Sequence, residues 1–394
     1  MNKLIICILL LLFPCIGIGQ NNINDYLKGY IEHSGTFEQN ASVIQNDRYY
    51  PIIEVEIIGK KYNFLFDTGA MMTVVSDKII DIDKIKEDNK ITISGGASTD
   101  EKAKQTEAYT VIENIKINDI EFNDILLAVV DLDQINKHLC TKIDGIIGMN
   151  LIKLCNWKID IFNGTVSFSD RVFEHPDQSK KIALSYHQGL LPLVDISHRR
   201  NKFKALLDTG FDGTLQLFSD FKTTNKMKTR KGEGYYTLTI NQMESGKREE
   251  IILDKLSIGD DFEIKNVTAY ILDGKPLLGM GILKEYITLL NFAEDNMILV
   301  PKSAESAIGV HRDFGAKFCI NNRDELQVCF MWDGSQLKKN GVKVGDKITA
   351  INNNPIDRIT EEQYCNFTKI QKEDSILTLT FKTRDGEKTI EIHK

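Results

Sequence analysis

Two short stretches of this 394-residue chain place an aspartate at the end of an apolar segment. Residues 64–66 (Phe-Leu-Phe) precede Asp67, residues 205–207 (Ala-Leu-Leu) precede Asp208, and Thr-Gly follows in both copies. Three apolar residues before a carboxylate indicate the end of a buried strand, and the glycine allows a tight turn there. An aspartate in such a place is poorly solvated, and two of them brought together can share one proton. The pattern therefore predicts a coupled pair of carboxylates, Asp67 and Asp208.

The features around each aspartate recur in the same order, which indicates an internal repeat. The run Ile146-Ile147-Gly148 ends 81 residues after Asp67, and the run Leu277-Leu278-Gly279 ends 71 residues after Asp208. Two Asp-Thr-Gly turns, each with a downstream apolar-apolar-Gly element, resemble the active-site motifs of pepsin-like and retropepsin-like aspartic proteases. The resemblance implies a mainly β protein, in which a pair of β-barrel halves face each other about a pseudo-two-fold axis.

The resemblance also implies roles for the residues of the two turns. Asp67 and Asp208 would be the catalytic pair, one ionised to take a proton from water and the other protonated to bond the scissile carbonyl. The threonines would link the two turns, and the glycine N–H groups would bond the carboxylates. These supporting residues are Thr68, Gly69, Thr209 and Gly210. The implied activity is that of an aspartic endopeptidase acting on a peptide or protein substrate, with no cofactor and no metal.

A glycine-containing hairpin is expected between the first turn and the Gly148 element. Residues 91–94 include two apolar β-formers, and Gly95 and Gly96 follow directly, a composition that suits a mobile hairpin tip. In the family that the chain resembles, a hairpin at this position closes over the substrate as a flap. A plain surface hairpin is the alternative.

The second turn departs from the family's pattern at Phe211. Ser, Thr or Ala usually follows Asp-Thr-Gly, and Ala70 conforms, but Phe211 has no hydroxyl to bond the carboxylate. Its ring would have to point away, with Asp212 and Gly213 absorbing the turn. Phe211 therefore keeps a second function open, a catalytically inactive peptide-binding protein of the same fold. A structural role for both halves in the cell envelope is a third.

The C-terminal part of the chain has a different pattern, which resembles a PDZ domain. In residues 342–352 the pair Gly345-Asp346 precedes an apolar strand, as in the PDZ signature. Phe314, Gly315 and Ala316 look like the carboxylate-binding loop of that family, whose backbone N–H groups hold a peptide C-terminus. A peptide C-terminus is therefore an expected partner of this groove. The alternative is a PDZ domain that only packs against its neighbours.

The first residues are typical of a secretory signal peptide. A short charged start precedes an apolar run from Leu4 to Ile16, which is too brief to span a bilayer, and small residues follow. We expect cleavage after Gly19 and a secreted or periplasmic location. Lipid anchoring at Cys15 is the alternative, which the preceding Pro14 disfavours. Residues 20–50 are polar and form either a lead-in, with a short helix near 24–32, or a propeptide.

Composition argues against other classes of partner. The formal net charge is -7, with 56 Asp and Glu against 49 Lys and Arg, so no cationic field attracts nucleic acid or anionic lipid. No later apolar run is long enough for a membrane span. The basic stretch from Lys222 to Lys231, which includes Arg230, is expected to be a solvated loop.

The cysteines beyond the predicted signal peptide number five, which is odd. They are Cys140, Cys155, Cys319, Cys329 and Cys365. In an oxidising compartment Cys319 would pair with Cys329 across a turn at 321–324, and Cys365 would remain an unpaired apolar core residue. No CxxC spacing supports a zinc site or a thioredoxin-like redox site.

The length of the chain suggests two to three domains, and a hydrophobic content of 42% is enough for their cores. The chain divides into a signal peptide at 1–19, a lead-in or propeptide at 20–50, a first protease half at 51–170, a linker at 171–180, a second half at 181–302 and a PDZ domain at 303–394. The expected fold is thus a bilobal pair of barrels with a separate C-terminal domain.

Overall fold

A computed structural model describes residues 5–6, 28–94, 105–221, 229–238, 243–260, 262–302 and 313–394. The protein is mainly β, with 53% of residues in strands and 13% in helices, and it forms two closed six-stranded barrels followed by a PDZ domain. The predicted fold class is therefore confirmed. The alternation of apolar and acidic residues in Ile52–Ile57 explains why this segment is a strand, since Ile53, Val55 and Ile57 are buried on one face and Glu54 is exposed on the other.

The first barrel closes through strands that are distant in sequence. In order around the barrel they are Thr73–Ser76, Gly145–Ile147, Lys60–Phe66, Ile52–Ile57, Gln105–Ile117 and Ile120–Val130, and the last pairs with the first. Lys90–Ser94 extends this sheet next to Gln105–Ile117. Tyr30–Ile31 extends it next to Ile120–Val130, so the helix predicted near 24–32 is wrong in its described part, because this edge strand offers the segment pairing partners.

The second barrel repeats the order of the first. Its strands are Leu215–Leu217, Leu277–Gly279, Asn201–Asp208, Leu191–His198, Met243–Ile258 and Phe262–Ile271, and the last again pairs with the first. The internal repeat is therefore present in three dimensions. Thr229–Leu238 corresponds to Lys90–Ser94 of the first barrel. The loop predicted around Arg230 is wrong for this residue, because it lies on that strand.

A third sheet joins the two barrels. Its strands, in order, are Glu38–Ser42, Thr165–Ser169, Asn156–Asp160, Tyr286–Asn291, Asn296–Pro301 and Lys180–Ala183. The two halves meet where Asn156–Asp160 pairs with Tyr286–Asn291. Because Glu38–Ser42 pairs with Thr165–Ser169, and Tyr30–Ile31 with Ile120–Val130, the segment before the first barrel is part of the fold.

The PDZ domain is a small sheet covered by one long helix. Its strands are Ala316–Ile320, Leu326–Trp332, Lys347–Ile351, Asn354–Pro355, Ile376–Thr383 and Gly386–His393, and its helices are α4 (Gln336–Lys339) and α5 (Glu361–Glu373). Thr360 begins α5 with a capping box, in which its side chain and that of Gln363 bond each other's backbone N–H. Phe318 of the first strand packs on Phe367 of α5, with ring centroids 5.8 Å apart.

The remaining described elements are short. They are helices α1 (Asp133–Leu139), α2 (Met149–Ile152) and α3 (Met280–Leu283), the 3-10 helices Ile82–Lys84, Glu87–Asn89 and Phe292–Glu294, and the strands Ile5–Ile6 and Ser185–His187. In the parts of the chain that the structure describes, no helix combines the length and the apolar character needed to cross a membrane.

The PDZ domain is attached to both barrels. In the second barrel, residues 232–234 pair with residues 330–332, so this barrel and the PDZ domain share a continuous sheet. The close approach needs glycine, since a Cβ on Gly232 would lie 2.6 Å from the carbonyl oxygen of Met331. On the other side, a disulfide joins Cys140, at the end of α1, to Cys365 of α5.

The cysteine pairing is thus partly as predicted. Cys319 and Cys329 form the expected disulfide. The prediction of an unpaired Cys365 is wrong, because docking of the PDZ domain brings Cys140 next to it across 225 residues of sequence. Cys155 stays free and buried.

Candidate active site

Asp67 and Asp208 lie at the ends of equivalent strands, one in each barrel. The apolar residues before them are buried in the core, as is each aspartate, with no exposed surface. The ring of Phe66 packs against Trp157 at 4.8 Å, which supports the strand end that carries Asp67. Both carboxyl groups are therefore delivered from core strands and are buried.

The threonines that follow the aspartates join the two turns. Thr68 Oγ1 donates to the carbonyl oxygen of Leu207 at 2.7 Å and accepts from the N–H of Thr209 at 3.1 Å. Thr209 Oγ1 donates to the carbonyl oxygen of Phe66 at 2.7 Å and accepts from the N–H of Thr68 at 3.0 Å. Because all of these groups are buried, the bonds fix one turn against the other.

The glycines bring the two carboxyl groups together. The N–H of Gly69 donates to Asp67 Oδ1 at 2.7 Å, and the N–H of Gly210 donates to Asp208 Oδ1 at 2.9 Å. Each glycine also faces the opposite carboxyl group: a Cβ on Gly69 would lie 2.6 Å from Asp208 Cγ, and one on Gly210 would lie 2.5 Å from Asp67 Cγ. Any larger residue would push the carboxyl groups away from each other's turn.

Electrostatics favours one proton on this pair. Burial raises the pKa of Asp67 well above its usual range, and the charge of Asp208 raises it further, against the lowering effect of the Gly69 N–H. Two carboxyl groups in such contact do not both ionise near neutral pH, so one holds a proton while the other is negative. Such a pair can act as acid and base at once. Within the described ranges, no group of three or more His, Cys, Asp and Glu side chains is placed to hold a metal ion.

A buried amide, which the sequence analysis did not identify, braces the first turn. Asn150 Oδ1 accepts from both the N–H and the Oγ1 of Thr73, at 2.8 Å each, and Thr73 Oγ1 accepts from the N–H of Gly148 at 3.1 Å. In the second half the matching residue is Gly281, whose N–H donates to the carbonyl oxygen of Gly213 at 2.8 Å. The sequence signal that could have pointed to Asn150 is its position in the repeat: it stands two residues after Gly148, as Gly281 stands two residues after Gly279.

A buried ion pair, also missed, connects the segment before the first barrel to the second turn. Arg48 Nη1 lies 3.0 Å from Asp212 Oδ2, and both side chains are almost fully buried. Arg48 Nη2 donates to the carbonyl oxygen of His138 at 3.1 Å. The polar residues around Arg48 gave no sign of a partner 164 positions away.

Phe211 fills a space in the core of the second barrel. A Cβ on Gly279 would lie 2.5 Å from its Cδ1, and a Cβ on Gly213 would lie 2.6 Å from its Cε2, so these glycines make room for the ring. The carbonyl oxygen of Phe211 accepts from the N–H of Met280 at 2.7 Å. The turn therefore accommodates the unusual residue, although it supplies no hydroxyl to Asp208.

The predicted flap tip, Gly95 and Gly96, lies outside the described residues. The strand before it, Lys90–Ser94, pairs with Gln105–Ile117 as a hairpin arm. The equivalent arm of the second barrel, Thr229–Leu238, lies between Met243–Ile258 and the PDZ domain. The two arms therefore have different neighbours.

In the predicted carboxylate-binding loop of the PDZ domain, the backbone groups of Gly315 bond residues of the same domain. Phe314 and Ala316 are buried, and Gly315 adopts φ +75°, a conformation that favours glycine. The N–H of Gly315 donates to Asp313 Oδ1 at 2.9 Å, and its carbonyl oxygen accepts from the N–H of Trp332 at 2.9 Å. The loop thus bonds its own domain in this structure.

The groove between the first PDZ strand and α5 faces the first half of the protein. The cavity left there is about 30 Å³, room for only one or two water molecules. Its lining combines Ala316, Lys317, Phe318, Tyr364, Thr368, Gln371 and Lys372 of the PDZ domain with Asp47, Arg48, Leu139 and Cys140 of the first half. An ion pair between Asp47 and Lys372 and an edge contact between the rings of His138 and Tyr364 hold the surfaces together.

Comparison with known protein families agrees with this architecture. Residues 53–151 match the family model described as aspartyl protease, a range that includes Asp67 and the Gly148 element. Residues 306–382 match the model of the PDZ domain. No curated protein sequence matches the chain. The chain therefore contains an aspartyl protease domain, matched over its first barrel, and a PDZ domain at its C-terminus.

Proposed function

We propose that this protein is an aspartic endopeptidase whose two barrels each supply one carboxyl group to a single site. The observation that carries the proposal is the meeting of Asp67 and Asp208, each against the glycine of the opposite turn. The hydrogen bonds of Thr68 and Thr209 hold that geometry. The aspartyl protease match over residues 53–151 supports it independently, from sequence.

In this proposal the ionised carboxyl group takes a proton from a water molecule that attacks the peptide carbonyl. The protonated carboxyl group donates to the carbonyl oxygen and stabilises the charge of the tetrahedral intermediate. A proton then passes to the leaving amine, and the pair returns to its one-proton state. The rate should fall at low pH, where both groups are protonated, and at high pH, where both ionise. Because burial and Asp208 raise the pKa of Asp67, the active window extends toward neutral pH.

The PDZ domain would act on the protease through its attachments rather than as an independent peptide receptor. Its groove faces Asp47 and Arg48 of the first half, and its sheet continues the second barrel. We also propose that the chain is exported, by removal of residues 1–19, to a secreted or periplasmic location. The disulfides Cys140–Cys365 and Cys319–Cys329 support an oxidising compartment.

The test is cleavage of a mixed peptide library by the chain from Gln20 onward, across acid to neutral pH. Asp67→Asn and Asp208→Asn should each abolish cleavage, because each replaces one of the two carboxyl groups that share the proton. Asp177→Asn, at an exposed position of the linker, is the matched control and should cleave like the wild type.

Full activity in either active-site variant would refute the proposal. Folded wild-type protein that binds peptides without cutting them would favour the second candidate, an inactive peptide-binding protein. The observation in favour of that candidate is Phe211, which gives Asp208 no hydroxyl donor.

A further inference from the structure

A disulfide closes the contact between the PDZ domain and the first half of the protein. Cys140, at the C-terminal end of α1, is bonded to Cys365 of α5, and their Cα atoms are 5.4 Å apart. Both residues are only partly buried, which leaves the bond within reach of small thiols. Because disulfide geometry is specific, this bond can form only when the PDZ domain is docked on α1.

The other bonds of this contact are weak, because they lie near the protein surface. Lys137 Nζ donates to Asp324 Oδ1 at 2.8 Å and to the carbonyl oxygen of Asn321 at 2.9 Å, and Asp47 pairs with Lys372. The side chains of both aspartates are about half exposed. Ion pairs of this kind contribute little to stability in water. The disulfide is therefore the strongest link that the described residues show between the first half and the PDZ domain.

The PDZ domain is held on its other side by contacts that a reducing agent leaves intact. Residues 232–234 of the second barrel pair with residues 330–332. Arg230 joins Glu250 of the barrel to Asp313 beside the PDZ sheet, at 2.6 Å each. Opening of the Cys140–Cys365 bond therefore leaves the PDZ domain on the second barrel and loosens its contact with the first half.

Arg48 connects this contact to the second barrel. Its side chain and Cys140 line the same small cavity. Arg48 Nη2 donates at 3.1 Å to the carbonyl oxygen of His138, two residues before Cys140. Arg48 Nη1 lies 3.0 Å from Asp212 Oδ2. Two bonds of one guanidinium thus join the end of α1 to the turn that follows Asp208.

The ion pair of Arg48 is buried beside the candidate active site. Arg48 and Asp212 are both almost fully buried, and Asp212 stands four residues after Asp208. Between them, the N–H of Phe211 donates to the carbonyl oxygen of Asp208 at 3.3 Å. Breaking a buried ion pair is strongly unfavourable, so this turn follows Arg48 when Arg48 moves. The position of Asp208 therefore depends on the contact that the disulfide closes.

We propose that the Cys140–Cys365 disulfide controls the activity of the site, which is full when the bond is formed and low when both cysteines are thiols. This inference rests on the proposed function and gives its regulation. Oxidation joins the two sulfur atoms, and the two thiol protons and two electrons pass to an oxidant of the disulfide class, which becomes two thiols. A chain made in a reducing compartment thus gains activity only after it reaches an oxidising one.

The experiment measures peptide cleavage by the chain from Gln20 onward, before and after treatment with dithiothreitol, at a temperature where circular dichroism shows both forms folded. Reduction should lower kcat/KM about 10- to 100-fold, because Asp208 is displaced, and reoxidation with glutathione disulfide should restore it. Cys140→Ser should have the activity of the reduced wild type and should not respond to dithiothreitol. The double variant Cys319→Ala/Cys329→Ala lacks the other disulfide and is the matched control, which should respond as the wild type does.

Arg48→Met tests whether the effect passes through the buried ion pair. With the disulfide intact, this variant should already have the low activity of the reduced wild type, and reduction should change it little. If reduction lowers the activity of folded Arg48→Met and of the wild type by the same factor, the disulfide does not act through Arg48, and the inference is wrong.

The outcomes separate this inference from the proposed function. Cleavage that reduction leaves unchanged or raises, or a response that the Cys319→Ala/Cys329→Ala control has lost, would overturn the inference and leave the protease proposal intact. If the oxidised wild type cuts no peptide, hydrogen exchange of residues 208–217 replaces kinetics. Reduction should then speed exchange of this segment about 10-fold or more in the wild type and leave it unchanged in Cys140→Ser. Equal exchange in the oxidised and reduced wild type would overturn the inference.

Discussion

Replacement of Thr68 by valine should weaken the hydrogen bonding that holds the turn of Asp67 against the turn of Asp208. Valine keeps the shape of threonine and removes the hydroxyl, so two hydrogen bonds across the interface are lost. The groups left behind, the carbonyl oxygen of Leu207 and the N–H of Thr209, are buried. Leaving such a group without its partner costs about 1–3 kcal/mol. We therefore expect Thr68→Val to lower the free energy of unfolding by about 2–4 kcal/mol.

The same change should lower activity, because the turn that carries Asp67 is positioned by these bonds. A displacement of about 1 Å at a catalytic group costs about 100-fold, so kcat/KM should fall by about that factor. Urea unfolding can be followed by tryptophan fluorescence, to which both Trp157, which packs on Phe66, and Trp332 of the PDZ domain contribute. Peptide cleavage measures the second effect.

Thr68→Ser is the matched control, since it keeps the hydroxyl and removes only a methyl group. It should lose about 1 kcal/mol or less of stability and keep most of its activity. If valine and serine behave alike in both assays, the hydroxyl does not hold the turns together, and the reasoning is wrong.

Three further predictions concern contacts of the lead-in and the PDZ domain. Burial and Arg48 lower the pKa of His138 to about 4, so as the pH falls below 6.5 this histidine is protonated in the unfolded chain before it is protonated in the folded one. The free energy of unfolding should therefore drop by about 2 kcal/mol between pH 7 and 5. His138→Phe should remove that part of the pH dependence in thermal unfolding. Cys140→Ser should lower stability by about 2–5 kcal/mol relative to the wild type under oxidising conditions, because the disulfide closes 225 residues, and this difference should vanish when a reducing agent opens the same bond in the wild type. Cys155→Ser, at the free cysteine, keeps both disulfides and should respond to the reducing agent as the wild type does. A chain that begins at residue 38 should fold, whereas a chain that begins at residue 51 should not, because the shorter chain loses the strand Glu38–Ser42 and the ion pair of Arg48 with Asp212. Equal thermal melts of the two chains by circular dichroism would contradict this prediction.

The two barrels and their aspartates could be predicted because their signals are local. Three apolar residues before Asp67 and before Asp208 are enough to indicate a core strand that ends in a carboxylate. The repeat of this pattern then indicates two equivalent halves. The PDZ domain followed from a similar local motif around Gly345.

The missed contacts all join parts of the chain that are distant in sequence. Arg48 and Asp212 are 164 residues apart, and Cys140 and Cys365 are 225 apart. Hydrophobic periodicity indicates which face of an element is buried, but not which other domain buries it. Lys317 illustrates the limit, because a lysine between apolar residues on an outer strand looks solvated until the barrel that covers it is known.

The pairing of Thr229–Leu238 with the PDZ sheet makes the two equivalent hairpin arms unequal in their attachments. Displacing this arm would break strand pairing at residues 232–234 and the ion pairs of Arg230. Its counterpart Lys90–Ser94 pairs, within the described ranges, with its own hairpin partner. The added domain therefore distinguishes two arms that the internal repeat makes equivalent: one is held in a sheet shared with the PDZ domain, and the other pairs, among the described residues, within its own barrel.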